Sequence, residues 1–589
     1  MNYEKGYDFV MVTTGFVDVE YPWDSTSTST LEGKWAKEKS ERWLVIREAP
    51  YTTFAKDATG APAVTYYDYI VIGGGTSGCA LAATLSQGAK VLVLERGDLP
   101  YGIPTVTTIN GFIDTLANLS PTSASQTFIS TDGVVNQRGR VLGGGSALNA
   151  GFFTWASADF IKQAGWDPKL VKESYEWVGK KVAFEPKVLA WQSAVREGLL
   201  EAGISPNNGF SYEHIYGTKV GGSIFDRNGK RHTAADLLEY ADPSNITVYL
   251  NATVHRILFE TDERRAQGVL YKDMEGKRHV ALLNKGSSKN EVILSAGTLG
   301  SPQLLMLSGI GPSKHLKAHK IEVVLDQPMV GQGLSDNPMT LVILPSALPV
   351  EISLIEVVGI TRFGSFIESA STHINWPWVD KIGSGFGLFT NQTKDLDKIR
   401  SIIARRFHND PSGLNFGVIL QKIMGPLSSG TLELETTNPD DNPKVTFNYF
   451  KDPRDLQRCV QGMDTIIKVL ESKAMSQYRD PLLPIQDLLD LIVALPLNLK
   501  LRHVNTAIDL EQYCKDTVQS IWHYHGGCQV DRVIDHNYKV IGVGALRVID
   551  SSTLLYSPGT NPQATMMMLG RYMGQKILRE RLTLDGSKK

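Results

Sequence analysis

The chain has 589 residues, of which 42% are hydrophobic and 21% charged, and 60 Lys and Arg residues against 62 Asp and Glu residues leave a formal net charge of −2 at pH 7. These proportions are ordinary for globular proteins and exclude wholesale disorder, and the length suggests two large domains or roughly four smaller ones. A nearly neutral chain lacks the basic surface that binds nucleic acids, and no window of about 18 uninterrupted apolar residues predicts a membrane span. The 54 glycines indicate backbone that packs closely against a ligand, often a nucleotide.

The four cysteines, Cys79, Cys459, Cys514 and Cys528, form no CxxC pair. A zinc or redox motif is therefore not indicated, and no metal site is predicted. Four thiols in a chain of this length do not make a disulfide scaffold, although they are compatible with a single disulfide bridge.

Residues 1–65 precede the first regular pattern. Acidic residues at Glu4 and Asp8 and a broken apolar run differ from the basic and then apolar segments of a secretory signal. A Ser/Thr-rich and then charged stretch follows at 24–40. We interpret 1–65 as an arm or irregular N-terminal extension.

A dinucleotide-binding pattern begins directly afterwards. The β-type run YDYIVI at 67–72 leads into GGGTSG, the Ala/Leu-rich helical stretch CALAATLSQ and a second strand, AKVLVLERG, with Glu95 at its end. In this context Gly73 permits the tight turn, Gly75 lets the backbone approach a pyrophosphate, and Gly78 lets the helix pack on the strand. The helix start directs free N–H groups at the phosphates. Glu95 suits a ribose hydroxyl and disfavours the 2′-phosphate of NADP.

Two further glycine-bearing blocks stand at 139–153 (GRVLGGGSALNAGFF) and 297–311 (GTLGSPQLLMLSGIG). Three successive glycines in the first block suit backbone that wraps a planar or phosphorylated ligand. In the second, SPQLLML predicts a helix with Pro302 near its first turn and a C-terminal cap at Gly309.

The carboxyl end carries WHYHGGC at 522–528 and NPQATMMMLGRYMG at 561–574. His523 and His525 share a face if the segment is extended, and spacing alone does not choose between them. Pro562 suits the first turn of a helix that runs to about residue 579, and Asn561 suits its N-cap.

These blocks resemble the signatures of the glucose–methanol–choline (GMC) flavoprotein oxidoreductases. VGQGLSDNP at 330–338 resembles another segment of that family, and the likeness runs from about residue 66 to 582. The sequences GRVLGGGSALNAGF and AGWDPKLVKESYEWV are most similar to those of plant members, the HOTHEAD-type proteins and the hydroxynitrile lyases. The resemblance implies non-covalently bound FAD and His523 as the catalytic histidine, with Asn561 opposite it near flavin N5.

The resemblance also implies the contacts to FAD. Beyond the glycine turn, the residues implied along the pyrophosphate, ribose, flavin and adenine are Thr76, Ser77, Glu95, Arg96, Val141, Asn149, Ala150, Gly151, Phe152, Val254, Trp522, His523, Asp550, Pro562 and Gln563. Val254 and Phe152 equally fit the hydrophobic core.

The implied fold is mixed α/β, with a Rossmann-like FAD-binding domain and a substrate domain built on a six-stranded antiparallel sheet. Because the glycine blocks are scattered, we expect a discontinuous FAD-binding domain of residues 66–160, 246–344 and 536–585. Residues 161–245 and 345–535 then form the substrate domain, where GTLELETT and KVTFNYF read as antiparallel strands. A pocket between the two domains is the expected active site.

Three functions compete. The first is an FAD-dependent alcohol oxidoreductase, in which His523 accepts the hydroxyl proton while hydride passes to flavin N5; the HOTHEAD-type resemblance suggests long-chain ω-hydroxy fatty acids. The second is a hydroxynitrile (mandelonitrile) lyase that uses FAD without redox chemistry, and the third is a non-catalytic flavin-binding protein. The lyases have a histidine where this chain has Asn561, a tyrosine where it has Ile521, and an active-site cysteine without a counterpart near 360–370. These departures favour oxidation of a small-molecule alcohol. We expect the protein to be a monomer.

The plant resemblance carries two further expectations. It implies a disulfide between Cys459 and Cys514, for which two buried thiols are the equally weighted alternative. It also points to the secretory route, so we expect an extracellular mature protein without residues 1–45. The number of sequons, at Asn118, Asn245, Asn251 and Asn391, decides nothing, because a chain this long contains several by chance.

Overall fold

Two large β-sheets organise the chain in the computed structural model, which describes residues 53–260, 263–346, 348–374, 414–495, 497–502, 506–559 and 561–585. Residues 1–45 and the sequon at Asn391 lie outside the described residues. The mixed α/β class that the sequence predicts is confirmed.

The first sheet is entirely parallel and brings together stretches that lie far apart in the chain. Its strands are buried on both faces at its centre, which explains their uninterrupted apolar runs. In spatial order the six strands are Ala55–Asp57, Ile246–Leu250, Val91–Leu94, Tyr69–Ile72, Glu291–Leu294 and Leu546–Val548. Part of the interpreted extension 1–65 thus supplies an edge strand. The domain boundaries themselves stay a prediction.

Two helices pack against one another beside this sheet, Thr76–Leu85 and Gln563–Asp585. Their approach requires glycine, because a Cβ at Gly570 would lie 2.2 Å from the carbonyl oxygen of Ser77. The second of these helices is the one expected after Asn561. It begins at Gln563 and extends to Asp585 rather than to about 579.

The second large sheet has seven strands rather than the six that the resemblance implied. All neighbours are antiparallel except the last pair. In spatial order its strands are Gln519–Ser520, Pro338–Pro345, Leu414–Ile423, Ser365–Ile374, Val357–Ile360, Gly217–Val220 and Asn207–Phe210.

The two faces of this sheet differ. On one face Ile367 and Ile419 join a large hydrophobic core with Trp191 and Met463, which come from the helices that cover the sheet. On the other face the residues alternate with these, and Phe366 packs in a separate small cluster.

Smaller sheets complete the β-structure. The predicted strands GTLELETT and KVTFNYF form as Gly430–Glu433 and Lys444–Thr446. They pair with each other, and Gly430–Glu433 also pairs with Gln332–Leu334, in a three-stranded sheet apart from the large one. The other strands are Thr253–Phe259, Ala266–Lys272, Arg278–Leu283 and Val64–Tyr67 in a four-stranded sheet, and the pairs Ser125–Ile129 with Val135–Gly139, Phe152–Phe153 with Gly222–Ser223, and Ile310–Gly311 with Leu325–Asp326.

The remaining helices are capped by local chemistry. Asp167 and Asp452 each accept backbone N–H bonds at a helix start and are each followed by proline, which needs no hydrogen-bond acceptor there. None of the helices in the described residues is long and apolar enough to cross a bilayer. Besides the two already given, the α-helices are Pro104–Thr107, Phe112–Ala117, Ala158–Gln163, Pro168–Val182, Ala190–Glu201, Gly297–Leu307, Ser313–Ala318, Pro453–Glu471, Ile485–Ala494 and Leu510–Thr517.

The helix predicted around SPQLLML ends as expected but starts earlier. Gly309 follows its end with φ +86°, the left-handed conformation expected of a C-terminal cap. The helix starts earlier than expected, at Gly297, so Pro302 lies in its second turn.

Cys459 and Cys514 form a disulfide, so the alternative of two buried thiols is wrong. The bridge joins the helix Pro453–Glu471 to the helix Leu510–Thr517, both packed against the large antiparallel sheet. Cys79 and Cys528 are buried and free.

Candidate active site

A cavity of about 290 Å³ lies where the carboxyl ends of the parallel strands meet residues of the antiparallel sheet. This edge of a parallel sheet is where nucleotide cofactors bind. The cavity brings together all the predicted site residues except Gly78: Gly73, Gly75, Thr76, Ser77, Glu95, Arg96, Val141, Asn149, Ala150, Gly151, Phe152, Val254, Trp522, His523, Asp550, Asn561, Pro562 and Gln563.

The glycine turn has the geometry that its motif predicts. Gly73 has φ +99°, and a Cβ there would lie 2.5 Å from the carbonyl oxygen of Ser295. A Cβ at Gly78 would lie 2.0 Å from the Gly73 oxygen, so Gly78 serves the contact between helix and strand and needs no place in the cavity wall. Gly75 lines the cavity, and its nearest neighbours lie 3.8 Å or more from an added Cβ. A side chain there would take up space beside the helix N-terminus, which is suited to phosphate.

Glu95 braces this turn from the end of the next strand. Its carboxylate accepts backbone N–H bonds from Gly74 at 3.0 Å and from Gly97 at 2.8 Å. Burial raises the pKa of Glu95 above its ordinary value, an effect that these hydrogen bonds oppose. Arg96 also lines the cavity, and its guanidinium donates to Gln126 and to the Gly139 carbonyl.

A hydrogen-bonded chain connects the middle of the sequence to the C-terminal helix. The Asn149 amide donates to Gln563 at 2.9 Å, and Gln563 donates to the carbonyl of Phe152 at 2.7 Å. Phe152 is 1% exposed, so it lines the cavity and belongs to the core as well. Asp550 accepts from the Gly297 N–H at 3.0 Å, which fixes the start of a second helix at the cavity.

The segment around His523 places a neutral imidazole on the cavity wall. Trp522 has φ +59°, a strained value for a side chain of this size, and the His523 N–H is held by Asp336 at 3.1 Å. Burial, followed by the nearby charge of Lys422, lowers the pKa of His523 well below its usual range. Its Nδ1 is buried and has no hydrogen-bond partner among the described residues. The ring is thus unprotonated at neutral pH and can accept a proton.

His525 occupies a different environment. Its backbone exchanges two hydrogen bonds with Ser335, at 2.8 and 2.9 Å, and its Nδ1 lies 3.2 Å from the His523 carbonyl oxygen. It does not line the cavity, and burial lowers its pKa to about 4. Of the two histidines that spacing left open, only His523 faces the cavity.

Two charged residues at this site were missed by the sequence-based prediction. Lys422 donates to the Oδ1 of Asn561 at 2.7 Å and forms an ion pair with Glu368 at 2.8 Å, and both charged side chains are fully buried. Glu368 also lines the cavity. The available signal was a charged residue on an otherwise apolar face of a strand pattern, in SFIESA and in FGVILQKI.

These residues fit FAD. A helix N-terminus with a glycine turn suits the pyrophosphate, and a buried carboxylate at the end of the adjoining strand suits a ribose hydroxyl. The long cavity wall from Val141 to Phe152 suits a planar ring, and His523 lines the same cavity. Non-covalent attachment stays a prediction.

Comparison with known proteins agrees with this chemistry. The patterns that define the GMC oxidoreductases match residues 67–339 and 426–570. The chain is 51% identical to protein HOTHEAD of Arabidopsis thaliana, over 88% of this chain and 89% of that protein. It is 41% identical to (R)-mandelonitrile lyase 1 of Prunus serotina, over 91% of each chain, and 41% identical to sinalpyl alcohol oxidase Nec3 of Nesocodon mauritianus, over 88% of this chain and 90% of that one.

A solved structure of formate oxidase has the same fold, with a TM-score of 0.69 and 20% identity over 88% of this chain and 99% of that chain. The chain therefore belongs to the GMC oxidoreductase family. FAD is its cofactor, and oxidation of a CH–OH group in a small molecule is the general activity of this class.

Proposed function

We propose that this GMC oxidoreductase oxidises an alcohol to the aldehyde, with His523 as the general base and Asn561 as the residue that orients the reacting oxygen. The observation that carries the proposal is the neutral imidazole of His523, which lines the cavity, whereas His525 does not. An imidazole of lowered pKa remains unprotonated at neutral pH and is ready to accept a proton.

His523 acts on the hydroxyl proton of the substrate, and Asn561 acts on its oxygen. His523 accepts the hydroxyl proton as the C–H bond breaks and the carbonyl forms. Asn561 donates a hydrogen bond to the oxygen and holds the carbon in position. FAD, when bound, supplies the acceptor for the hydride and its two electrons. The strained backbone at Trp522 and the Asp336 bond hold His523 in place for this step.

The start of the helix Gln563–Asp585 stabilises negative charge at its end of the cavity. Its first residue, Gln563, and the preceding Pro562 line the cavity, and the unpaired N–H groups of a helix start carry partial positive charge. An effect of roughly 0.3–2 kcal/mol on a neighbouring anionic group is expected.

For the substrate we propose a long-chain ω-hydroxy fatty acid, which the HOTHEAD-type resemblance suggests. Apolar side chains in the cavity wall, including Ile355 and Ile521, support an aliphatic or aromatic alcohol. The relative named as an alcohol oxidase supports alcohol chemistry at a similar site.

The alternative is a hydroxynitrile lyase, and it fits less well. Ile521 lines the cavity where the lyases have a tyrosine, and Asn561 stands where they have a second histidine. No cysteine contributes to the cavity lining within the described residues. A departing cyanide would therefore lack one of the ionisable groups that protonate it in the lyases.

Anaerobic mixing of the holoenzyme with a substrate panel separates these functions. The panel contains an ω-hydroxy fatty acid, the matching fatty acid without the hydroxyl, an aromatic primary alcohol and mandelonitrile. Bleaching of the flavin by either alcohol, with the hydroxyl-free acid silent, is expected. Release of benzaldehyde and cyanide from mandelonitrile without bleaching would support the lyase, and no reaction at all would favour a non-catalytic flavin-binding protein.

We also propose that the mature protein is extracellular, as the plant resemblance suggests. Among the sequons, Asn118 is exposed, whereas the amides of Asn245 and Asn251 donate to carboxylates at 3.0 and 2.9 Å. Glycosylation is therefore expected first at Asn118. Mass spectrometry of the native protein tests this: an intact Met1 together with unmodified sequons would contradict secretion.

A further inference from the structure

The ion pair between Lys422 and Glu368 lies beside the cavity. The ammonium is 2.8 Å from one oxygen of Glu368 and 2.7 Å from the Oδ1 of Asn561, and neither charged side chain is exposed to solvent. The ammonium also lies 4.3 Å from the centre of the Phe366 ring. Lys422 therefore links a buried carboxylate to the residue that the proposed function assigns to the substrate oxygen.

The antiparallel sheet fixes this arrangement. Glu368 pairs with Leu420 across two adjacent strands, and Phe366 pairs with Lys422. Residues two apart on a strand share a face, so both charged side chains leave the same side of the sheet. Paired strands hold their side chains more tightly than a loop does, which suits the positioning of a reactive group.

A contribution to stability does not account for the pair well. Taking two opposite charges out of water costs about as much as their attraction returns, and apolar replacements are often neutral or stabilising. The second oxygen of Glu368 is buried without a hydrogen-bond partner among the described residues, which makes the pair still less favourable for the fold.

The bond from Lys422 has a direct consequence for Asn561. An amide has an acceptor oxygen and a donor NH₂ group on opposite sides. Because the ammonium only donates, it holds the oxygen and prevents the amide from turning over. It also draws electron density towards Oδ1, which makes the NH₂ group a stronger donor.

Resting on the proposed function, we propose that Lys422, held by Glu368, is a positioning residue that fixes the Asn561 amide with its NH₂ group towards the substrate oxygen. It acts through Asn561 and touches no substrate atom.

A double-mutant cycle in the holoenzyme tests the coupling. The reductive half-reaction is followed with whichever alcohol bleaches the flavin of the wild type. Asn561→Ala is expected to lower its rate about 10²-fold, as loss of one oriented donor does, and Lys422→Met about tenfold to 10²-fold. In the Asn561→Ala background, Lys422→Met is expected to change the rate by less than about twofold. Fully multiplicative effects would overturn the proposal, and so would a Lys422→Met enzyme as fast as the wild type.

Two further variants separate positioning from loss of a buried charge. Lys422→Gln keeps an N–H donor for Asn561 and is expected to recover most of the rate lost in Lys422→Met. Lys219→Met is the matched control, because Lys219 is a fully buried lysine of the same sheet whose bonds go to Thr154 and to the Glu213 carbonyl. Its rate is expected to stay within about threefold of the wild type. A loss equal to that of Lys422→Met would assign the effect to the sheet instead.

A readout independent of turnover is the titration of His523 by NMR with labelled histidine. The charged or titratable side chains that act on this ring are Lys422 and His525, and the neighbouring Asp336 binds its backbone N–H. Removal of the Lys422 charge is expected to raise the pKa of His523, and Lys219→Met is expected to leave it unchanged. An unchanged value in Lys422→Met would contradict the placement of the ammonium.

Folding is checked by FAD content and melting temperature. If Lys422→Met fails to fold because Glu368 is left alone, the pair Glu368→Gln with Lys422→Met removes both charges and takes its place in the cycle. Failure of the proposed function looks different: the wild type itself would then leave its flavin oxidised with every alcohol, while the titration of His523 still reports on Lys422.

Discussion

Asn149 donates a hydrogen bond to Gln563, 2.9 Å away and 414 residues later in the chain. Gln563 in turn donates to the carbonyl of Phe152, so the first residue of the C-terminal helix is bound to the segment that lines the other side of the cavity. Formation of the site therefore requires these distant segments to come together, and FAD content becomes a sensitive measure of native structure.

Gly75→Asp is expected to abolish FAD binding. Its side chain would enter the cavity beside the helix N-terminus and add a negative charge where the pyrophosphate is expected. The ratio of flavin to protein absorbance in the purified variant measures the loss. Gly179→Asp serves as control, because a side chain there meets nothing within 4 Å, and it should retain its flavin. Full FAD content in Gly75→Asp would show that this turn does not hold the pyrophosphate.

His523→Ala is expected to keep FAD and to lose roughly 10²-fold or more in turnover, the typical cost of removing a general base. His525→Ala should lose less turnover, because His525 does not line the cavity. Rates of flavin reduction under anaerobic conditions compare the two variants directly. The opposite ranking would mean that the base is His525.

The pH dependence of kcat/KM follows from the need for an unprotonated His523. Protonation removes the acceptor, so activity falls as the pH falls through the pKa of this residue. Burial and Lys422 place that pKa well below the ordinary 6.5, so we expect a rate that stays level from about pH 8 down to 6.5 and declines only in more acidic buffer. A decline centred at or above 6.5, absent from His523→Ala, would contradict a depressed pKa.

The glycine turn and Glu95 were predictable because the motif lies within one contiguous stretch. A Cβ added at Gly73 or Gly78 would lie only 2.0 to 2.5 Å from a backbone oxygen, so only glycine fits there. Such a constraint can be recognised directly from the glycine spacing in the sequence. The ends of helices were less predictable. The final helix begins only at Gln563 and continues to Asp585, since packing against a neighbouring helix decides how far a weakly patterned segment stays helical.

Lys422 and Glu368 were not predictable by the same reasoning. They come from two strands separated by residues 375–413, and their meeting depends on strand register, which a sequence pattern does not specify. A charged residue in an alternating strand is ordinarily assigned to the solvent face, whereas here the face covers a cavity. The choice between His523 and His525 was not predictable from spacing either. Trp522, directly before His523, is left-handed, so the segment is not a regular extended strand whose alternation would assign each ring to a face.

The disulfide between Cys459 and Cys514 is expected to stabilise the folded protein. It closes a loop with a sequence separation of 55 residues, and a loop of this size corresponds to about 2–4 kcal/mol through the reduced entropy of the unfolded chain. Peptide mapping without reduction should recover the two cysteines in one linked fragment, and the Cys459→Ser, Cys514→Ser double variant should unfold at a lower denaturant concentration. Cys79 and Cys528 are buried and free, so both should be alkylated only after unfolding. Because the bridge joins helices behind the sheet that carries Lys422, the double variant should keep its FAD and lose stability before it loses turnover. If the thiols of Cys459 and Cys514 were both freely alkylated in the native protein, the disulfide would be contradicted.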